Sequence, residues 1–293
     1  MRRTLVMTAA IVVWLAHSAS TQTGERQANP ESSIAPRVVP PFAPTQPWRG
    51  RFLPDGQPEL ARGIWGAVEP ATRYIDRPPP GITMASRVVD PPDGLIPYQP
   101  WARELKKTQD YDLEHPTQPH HIDPQGRCLN ILPRLMHYLT PYEVHQIPGF
   151  IVFQFELEHL TRVIPLDGKP HVGPAIKLWL GDARGRWDGN TLLVETTNLN
   201  GKGRLSSSGD FYSANARLSE RMVYVDAATM TYEATIDDPT VFTRPWTMRV
   251  AHRLRPAAVK PGQELETEIV EYMCYEGEET AGVPSQNPAT RPQ

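Results

Sequence analysis

The second half of the chain alternates apolar and polar residues in short runs. Between Met230 and Asp237, every even-numbered residue is apolar and every odd-numbered residue is polar. A period of two puts the two kinds of side chain on opposite faces of a strand, so one face can be buried. Further runs follow Gly149 without an intervening helical pattern. The predicted strands are Phe150–Leu157, Leu160–Leu166, Ile176–Leu180, Thr191–Asn198, Ala216–Val225, Met230–Asp237, Trp246–Leu254 and Leu265–Tyr275.

The clearest hairpin signal lies in the stretch from Leu178 to Asn198. Glycine and asparagine tolerate the positive backbone φ that tight turns require, and Gly189 and Asn190 are adjacent in this stretch. We therefore predict a turn over Gly185–Gly189 that joins two strands.

This spacing of strands and turns predicts a mainly β fold. Consecutive strands without crossover helices favour an antiparallel up-and-down meander, and one wet and one dry face per strand suits a curved sheet. We predict a lipocalin-like barrel or strongly curved half-barrel over residues 147–279. A barrel of about eight strands is either filled by side chains or holds one small ligand.

The prolines divide the chain into two parts. Of the 32 prolines, 22 lie within residues 30–148 and ten follow. Central strands and long helices do not form at that proline density, so residues 49–146 are predicted to wrap the β domain with short helices. The best helix pattern is Tyr98–Tyr111, and Leu60–Val68 suits a helical turn or a strand. The predicted aromatic anchors are Trp48, Trp65, Tyr98 and Trp101.

The N-terminus resembles a signal peptide. Arg2 and Arg3 supply a positive start, and Leu5–Ala16 is apolar but too short to span a bilayer comfortably. We expect residues 1–20 to be removed, which predicts an exported, periplasmic or extracellular protein. An uncleaved membrane anchor is the alternative interpretation. No later segment is apolar enough to predict a transmembrane span.

Charge and composition limit the possible partners. The formal net charge of -3 gives no basic surface of the kind that nucleic-acid binding requires. No dinucleotide, phosphate-loop or nucleophile motif is present in the sequence, and no cofactor is predicted. Residues 21–48 read as a flexible linker and residues 280–293 as a disordered tail. The sequence does not predict an oligomeric state.

The chain has two cysteines, Cys128 and Cys274. An exported chain meets an oxidising compartment, so we predict a disulfide between them. Two separate buried thiols are the alternative, and neither cysteine lies in a recognisable nucleophile motif.

Four sequence motifs carry a resemblance to a known family. They are Asp55–Trp65 (DGQPELARGIW), Asp90–Tyr98 (DPPDGLIPY), Gly185–Thr196 (GRWDGNTLLVET) and Asp238–Thr247 (DPTVFTRPWT). With these motifs the chain resembles a large, uncharacterised family of exported soil-bacterial proteins. The chain departs from the family pattern by one extra residue between Leu60 and Gly63. The resemblance implies export, but it carries over no activity and no catalytic residue.

Polar residues that interrupt predicted inner faces are the candidates for chemistry. Arg162, Glu220, His252 and Glu271 each lie between apolar residues of a predicted strand. If these faces converge, a glutamate–histidine pair could perform acid–base work, and Arg162 could face an anionic or carbonyl group. The alternative is a structural ion pair of Arg162 with Glu220 or Glu271 that fixes strand register.

Other side chains complete the predicted ligand site. The residues predicted to bind ligand together with Arg162 are Glu156, His171, Trp187, Tyr232 and Trp246. Trp187 and Trp246 are also interpreted as residues that fill the core. Seven of the nine histidines lie within residues 115–171, but their spacing matches no closed metal motif. We therefore interpret them as surface and loop residues and predict no metal site.

Three functions remain open from the sequence. The first is an exported protein that binds a small, largely apolar ligand in a barrel cavity. The second is a periplasmic lyase, isomerase or hydrolase of hydrophobic metabolites that uses a glutamate–histidine pair. The third is a structural envelope protein with a filled core. The occupancy of the barrel interior distinguishes them.

Overall fold

The computed structural model of the protein describes residues 47–255 and 268–272. The α-helices are α1 (Pro100–Glu114) and α2 (Arg134–His137), and short 3-10 helices cover Pro119–His121, Pro124–Arg127 and Leu157–His159. The strands are β1 (Ile64–Ala67), β2 (Val88–Asp90), β3 (Tyr142–Ile147), β4 (Phe150–Phe155), β5 (Thr161–Pro165), β6 (Asp182–Asp188), β7 (Thr191–Thr197), β8 (Arg217–Asp226), β9 (Thr229–Asp237) and β10 (Trp246–Leu254). None of the helices in the described ranges is long and apolar enough to cross a bilayer.

The strands form one antiparallel sheet that curves into a nearly closed barrel. Their order is β5-β4-β3-β1-β10-β9-β8-β7-β6, and β2 adds to β10. The first and last strands of this order, β5 and β6, lie against each other without sharing a ladder of backbone hydrogen bonds. We call this junction the seam. The predicted mainly β, antiparallel barrel is confirmed.

Strand β1 joins two meanders. β3, β4 and β5 form the first, and β6 to β10 form the second. Trp65 of β1 pairs with Tyr142 of β3 on one side and with Leu254 of β10 on the other. The proline-rich segment therefore contributes a central strand to the barrel, in addition to wrapping it.

The predicted hairpin exists, but its turn is shorter than predicted. Only Gly189 and Asn190 form the turn, and Gly189 has a φ of +58°. Residues 185–188 belong to β6, so their assignment to the turn was wrong. Gly185 is needed within the strand because a Cβ there would lie 2.6 Å from Ile164 Cγ2 across the seam.

Two predicted strands are not observed. Ile176–Leu180 forms only an isolated bridge, between Leu178 and Leu199. Residues 268–272 form no strand, and the remainder of Leu265–Tyr275 lies outside the described residues. The backbone of 268–272 bonds to side chains instead of a neighbouring strand, since the Val270 amide donates to Glu156 at 3.2 Å.

The N-terminal segment covers both ends of the barrel. At one end, the Ala61 amide donates to the Ala227 carbonyl in the β8–β9 turn at 2.8 Å. At the other end, the Gln99 amide donates to the Val241 carbonyl in the β9–β10 connection, also at 2.8 Å. Of the predicted anchors, Trp65 and Tyr98 are buried, Trp48 is half-buried and Trp101 is 49% exposed.

The core consists of inward-facing side chains from nearly every strand. These side chains are bulky and alternate with outward-facing residues, as expected for a small barrel whose interior is filled. The largest buried aromatic residues of the core are Trp65, Tyr142, Phe153, Phe155, Tyr212, Tyr224, Tyr232, Phe242 and Trp246.

Candidate functional site

Arg162 and Glu220 form a buried ion pair inside the barrel. Arg162 is 2% exposed and Glu220 is 1% exposed. Arg162 Nη1 donates to Glu220 Oε1 at 2.9 Å, and Nη2 donates to the second carboxylate oxygen. This fork-to-fork geometry is the strongest arrangement for an arginine and a carboxylate. The sequence analysis gave this pairing of Arg162 with Glu220 as the alternative to a ligand-binding role for Arg162.

This ion pair crosses the seam. Arg162 belongs to β5, whereas Glu220 belongs to β8 and Thr196 to the intervening β7. Arg162 Nη2 donates to Thr196 Oγ1 at 3.1 Å, so one guanidinium binds two strands beyond the seam. Because β5 and β6 share no ladder, these side-chain bonds connect the edge strand β5 to β7 and β8, beyond the seam.

Tyr232 completes the environment of the carboxylate. Its hydroxyl donates to Glu220 Oε1 at 2.7 Å. Burial raises the pKa of Tyr232 well above its ordinary value, and the charge of Glu220 adds to this effect. Burial alone would lower the pKa of Arg162, but Glu220 more than offsets it and the net pKa is raised. The arginine and glutamate are therefore held as a charged pair that tyrosine and threonine hydroxyls solvate.

His252 lies close to this network but bonds elsewhere. Its Nδ1 is 2.9 Å from the Tyr142 hydroxyl, which bridges β10 and β3 on the inner side of β1. Burial lowers the pKa of His252 to about 3, so the imidazole is neutral near pH 7. The Tyr232 ring packs 6.0 Å from the His252 ring and also bonds Glu220. The two members of the predicted acid–base pair therefore contact Tyr232 rather than each other.

The remaining predicted residues do not join this network. Glu271 is exposed rather than inward-facing, because residues 268–272 form no strand. Glu156 is half-buried and accepts a hydrogen bond from the Val270 amide. His171 lies on the loop between β5 and β6. Its Nδ1 is 2.9 Å from Oδ2 of Asp182, the first residue of β6.

The two predicted tryptophans pack against other aromatic rings. Trp187 is half-buried, with its ring 5.7 Å from Tyr224. Trp246 is fully buried and meets Phe242 edge-on at 5.6 Å. Both contacts agree with their interpretation as core-filling residues.

The predictions about a disulfide and about metal binding concern residues outside this network. Cys128 follows a 3-10 helix with a φ of +56°, and Cys274 lies outside the described residues, so their bridge stays a prediction. Within residues 47–255 and 268–272, histidines, cysteines and acids form no group of three that could hold a metal ion.

A groove of about 800 Å³ lies at one end of the barrel, between residues 50–63 and β3. This volume is within the range of roughly 300–1,000 Å³ that is usual for small-molecule sites. Its apolar lining residues are Leu53, Leu60, Ala61, Val144, Ile147 and Ala227, and its charged or polar lining residues include Arg51, Glu59, Arg62, Glu143 and His145.

A network of amide side chains shapes the groove wall. Gln57 is 3% exposed, and its Nε2 donates to the Ile147 carbonyl at 3.2 Å. Gln146 Oε1 accepts from the Leu60 amide at 2.9 Å, and its Nε2 donates to the Pro58 carbonyl at 2.9 Å. Residues 57–60 are thereby fixed to the end of β3, so the groove is built into the fold.

One cation of the groove has no partner among the described residues. Arg51 pairs with Glu59 at 3.2 Å, and Glu143 pairs with His145 at 3.1 Å. Arg62 is exposed, and its guanidinium makes no ion pair or hydrogen bond to a described side chain. The groove therefore combines an apolar lining with an available positive charge.

Sequence reasoning missed this groove. None of the predicted site residues lines it. Residues 59–63, which lie within the stretch Asp55–Trp65, line the groove, but no local pattern in that stretch predicts a cavity.

Comparison with known families finds none that matches this chain, and comparison with characterised proteins finds no sequence match. The resemblance stated from the sequence therefore stays an expectation.

Proposed function

We propose that the protein binds a small amphiphilic acid in the groove at the barrel end. The observation that carries the proposal is the combination of an apolar lining with the available guanidinium of Arg62. An apolar body would contact Leu60, Val144 and their neighbours, and a carboxylate would pair with the arginine. The binding function expected from the sequence is thus kept, but its site moves from the barrel interior to the barrel end.

The buried side chains of the barrel interior support this location. Glu220 bonds to both Arg162 and Tyr232, and the three residues are each no more than 2% exposed. A ligand in the interior would have to displace buried aromatic side chains and break a buried ion pair, which costs several kcal/mol, on the order of 3–5. A ligand in the groove requires neither change.

A structural role in the cell envelope is the second candidate function. It is supported by the same buried network, because a barrel closed by internal side chains needs no ligand to be stable. Both proposals retain the expectation that the protein is exported, to the periplasm or outside the cell. Saturable binding of an amphiphilic acid distinguishes the first function from the second.

The test is calorimetric titration of the purified protein with decanoate and, for comparison, decanol. We expect decanoate to bind saturably and to bind at least tenfold more tightly than decanol, because Arg62 pairs with the carboxylate. Ala61→Trp, which fills the groove, should abolish binding of both. Arg62→Gln should remove the preference for decanoate, whereas Arg103→Gln, an exposed arginine on α1, should change neither affinity.

Two results would contradict the proposal. Unchanged decanoate affinity in Ala61→Trp would place the binding site elsewhere. Absence of saturable binding to the unmodified protein would favour the structural function. Melting temperatures of the variants serve as the control for folding.

A further inference from the structure

The groove opens where β1 and β3 separate. The last pair of their ladder is Ile64 with Glu143. Gly63 would face Val144 in the next pair, but its φ of +126° does not belong to a strand, and the ladder ends. Beyond Glu143, no strand of the described residues pairs with this edge of β3. The free edge of β3 therefore faces the groove between β3 and residues 50–63.

Two residues of β3 direct their backbone groups to this free edge. In an antiparallel ladder, alternate residues of a strand bond to the neighbours on its two sides. The Pro141 carbonyl accepts from the Glu156 amide at 3.0 Å, and the register of β3 with β4 continues from this pair. Odd-numbered residues of β3 therefore bond β4, so Val144 and Gln146 point their N–H and C=O groups the other way. Both residues line the groove.

The backbone groups of Val144 and Gln146 have no partners within residues 47–255 and 268–272. The Gln146 side chain bonds residues 57–60, but no hydrogen bond between described residues uses the amide or carbonyl of either residue. Both residues are half-buried, where polar backbone groups favour a partner. In peptide-binding proteins, a free strand edge of this kind binds an added extended segment.

Arg62 lies at the same point of the groove. It directly precedes Gly63, which would face Val144 if the ladder continued. Arg62 and Val144 both line the groove, and the Arg62 guanidinium makes no bond to a described side chain. The apolar side chains of Leu60 and Ile147 line it as well. The groove therefore offers a backbone donor, a backbone acceptor, a cation and an apolar surface together.

We propose that the ligand of the groove is an N-acyl amino acid that pairs with the free edge of β3. The inference rests on the proposed function, because it uses the same groove and Arg62, and it names the class of amphiphilic acid. A residue in a hydrogen-bonded antiparallel pair exchanges both bonds with the residue opposite. The ligand N–H therefore donates to the Val144 carbonyl, and one carboxylate oxygen accepts from the Val144 amide. The second carboxylate oxygen pairs with Arg62, and the acyl chain contacts Leu60 and Ile147.

Calorimetric titration with two matched ligands tests the amide of the ligand. N-decanoylglycine carries the N–H, whereas decanoyloxyacetate has an ester oxygen in its place and is otherwise identical. We expect N-decanoylglycine to bind at least tenfold more tightly to the unmodified protein. The ester oxygen cannot donate a hydrogen bond, so it leaves the Val144 carbonyl without a partner.

A proline substitution tests the Val144 amide. Its N–H lies outside the β3–β4 ladder, so Val144→Pro removes the N–H without breaking that ladder. We expect at least a tenfold loss of affinity for N-decanoylglycine. Val163→Pro is the matched control, because the bond from the Phe155 amide to the Leu160 carbonyl places the Val163 N–H at the seam. This control should leave the affinity unchanged.

Amide hydrogen exchange of the unmodified protein keeps the inference testable if Val144→Pro does not fold. Bound N-decanoylglycine should slow exchange of the Val144 amide at least tenfold. Equal affinity for the two ligands, or unchanged exchange at Val144, would overturn the inference, while saturable binding of either ligand would leave the proposed function intact. Protection of Val144 that rises with protein concentration alone would assign the edge to a second copy of the chain and also overturn it. Absence of saturable binding for both ligands and for decanoate would overturn the inference and the proposed function together.

Discussion

Arg162 shows how a single buried charge can be kept in an apolar barrel. Removing two ions from water is expensive, and the cost is recovered only with good geometry and additional hydrogen bonds. Here the guanidinium is matched by both oxygens of Glu220 and by Thr196, and Tyr232 donates to the carboxylate. Both terminal nitrogens of a residue that looked like a ligand contact in the sequence are therefore bonded within the protein.

Loss of one partner of this buried pair should destabilise the protein. Arg162→Met should lower the free energy of unfolding by about 3–5 kcal/mol, because it leaves the Glu220 charge buried and unpaired. Adding Glu220→Gln should restore most of that loss, because no uncompensated charge remains. Urea unfolding of the two single variants and the double variant measures the effect. Additive losses in the double variant would contradict the interpretation that the two residues act as one pair.

Among the elements, the seam between β5 and β6 is the unusual junction. All other neighbours in the barrel share backbone ladders, whereas these two strands meet through side chains. Gly185 of β6 allows this approach, because a Cβ there would lie 2.6 Å from Ile164 and 3.0 Å from Leu166. Close packing at the seam therefore depends on the absence of a side chain at one position.

We expect Gly185→Ala to destabilise the protein by about 1–3 kcal/mol through overpacking. Ile164→Ala should relieve part of this strain, so the double variant should be less destabilised than the sum of the two. Gly189→Ala is the control, because its φ of +58° strains any side chain while no atom lies within 4 Å. The loss of stability caused by Gly189→Ala should add to the loss caused by Ile164→Ala. Additive losses for the Gly185 pair would mean that the seam is looser than described.

A second element-scale feature links the N-terminal segment to the β7–β8 connection. Asp210 is fully buried and accepts from the hydroxyls of Tyr98 at 2.9 Å and Ser206 at 2.5 Å. Burial, together with the charge of Asp210, raises the pKa of Asp76 to about 7. The charge of Lys106 on α1 opposes this rise only in part.

The raised pKa gives a pH prediction for Asp76. The folded protein holds this proton up to about pH 7, whereas the unfolded chain releases it near pH 3.8. The stabilisation is therefore complete below about pH 4 and is lost as the pH rises through 7. Asp76→Asn should remove this fall. Its free energy of unfolding should therefore increase relative to that of the unmodified protein between pH 4 and 7.

The quantity to measure is the difference in free energy of unfolding between Asp76→Asn and the unmodified protein at each pH. Other groups change in the opposite direction, because burial lowers the pKa of His137 to about 4 and of His252 to about 3. Both histidines cost stability as the pH falls below their unfolded values, and this effect cancels in the difference. Parallel pH profiles for the two proteins would show that Asp76 does not keep its proton.

For the whole molecule, the sequence predicted the fold better than the site. The period-two alternation is local, so it identified Trp246–Leu254 as β10 and placed Arg162 and Glu220 on inner faces. Pairing between distant strands leaves no local pattern, so the position of β1 between β3 and β10 could not be read. β6 was partly taken as a turn because its glycine serves a contact with β5.

The site was harder to predict because it depends on which partners meet. The sequence identified polar residues on inner faces. Their hydrogen bonds to one another form only when the sheet curves and brings distant strands together. The groove arises where residues 57–60 bond to the end of β3 through Gln146, more than eighty positions away. Such long-range bonds create a concave surface that no local motif describes.

We place the ligand site at the groove rather than in the barrel interior. The most direct measurement is amide chemical-shift mapping by NMR during a titration with decanoate. We predict the largest shifts at residues 50–63 and 143–147, with small shifts at Arg162, Glu220 and His252. The largest shifts at those three interior residues, with residues 50–63 unchanged, would contradict the account and return the ligand to the barrel interior.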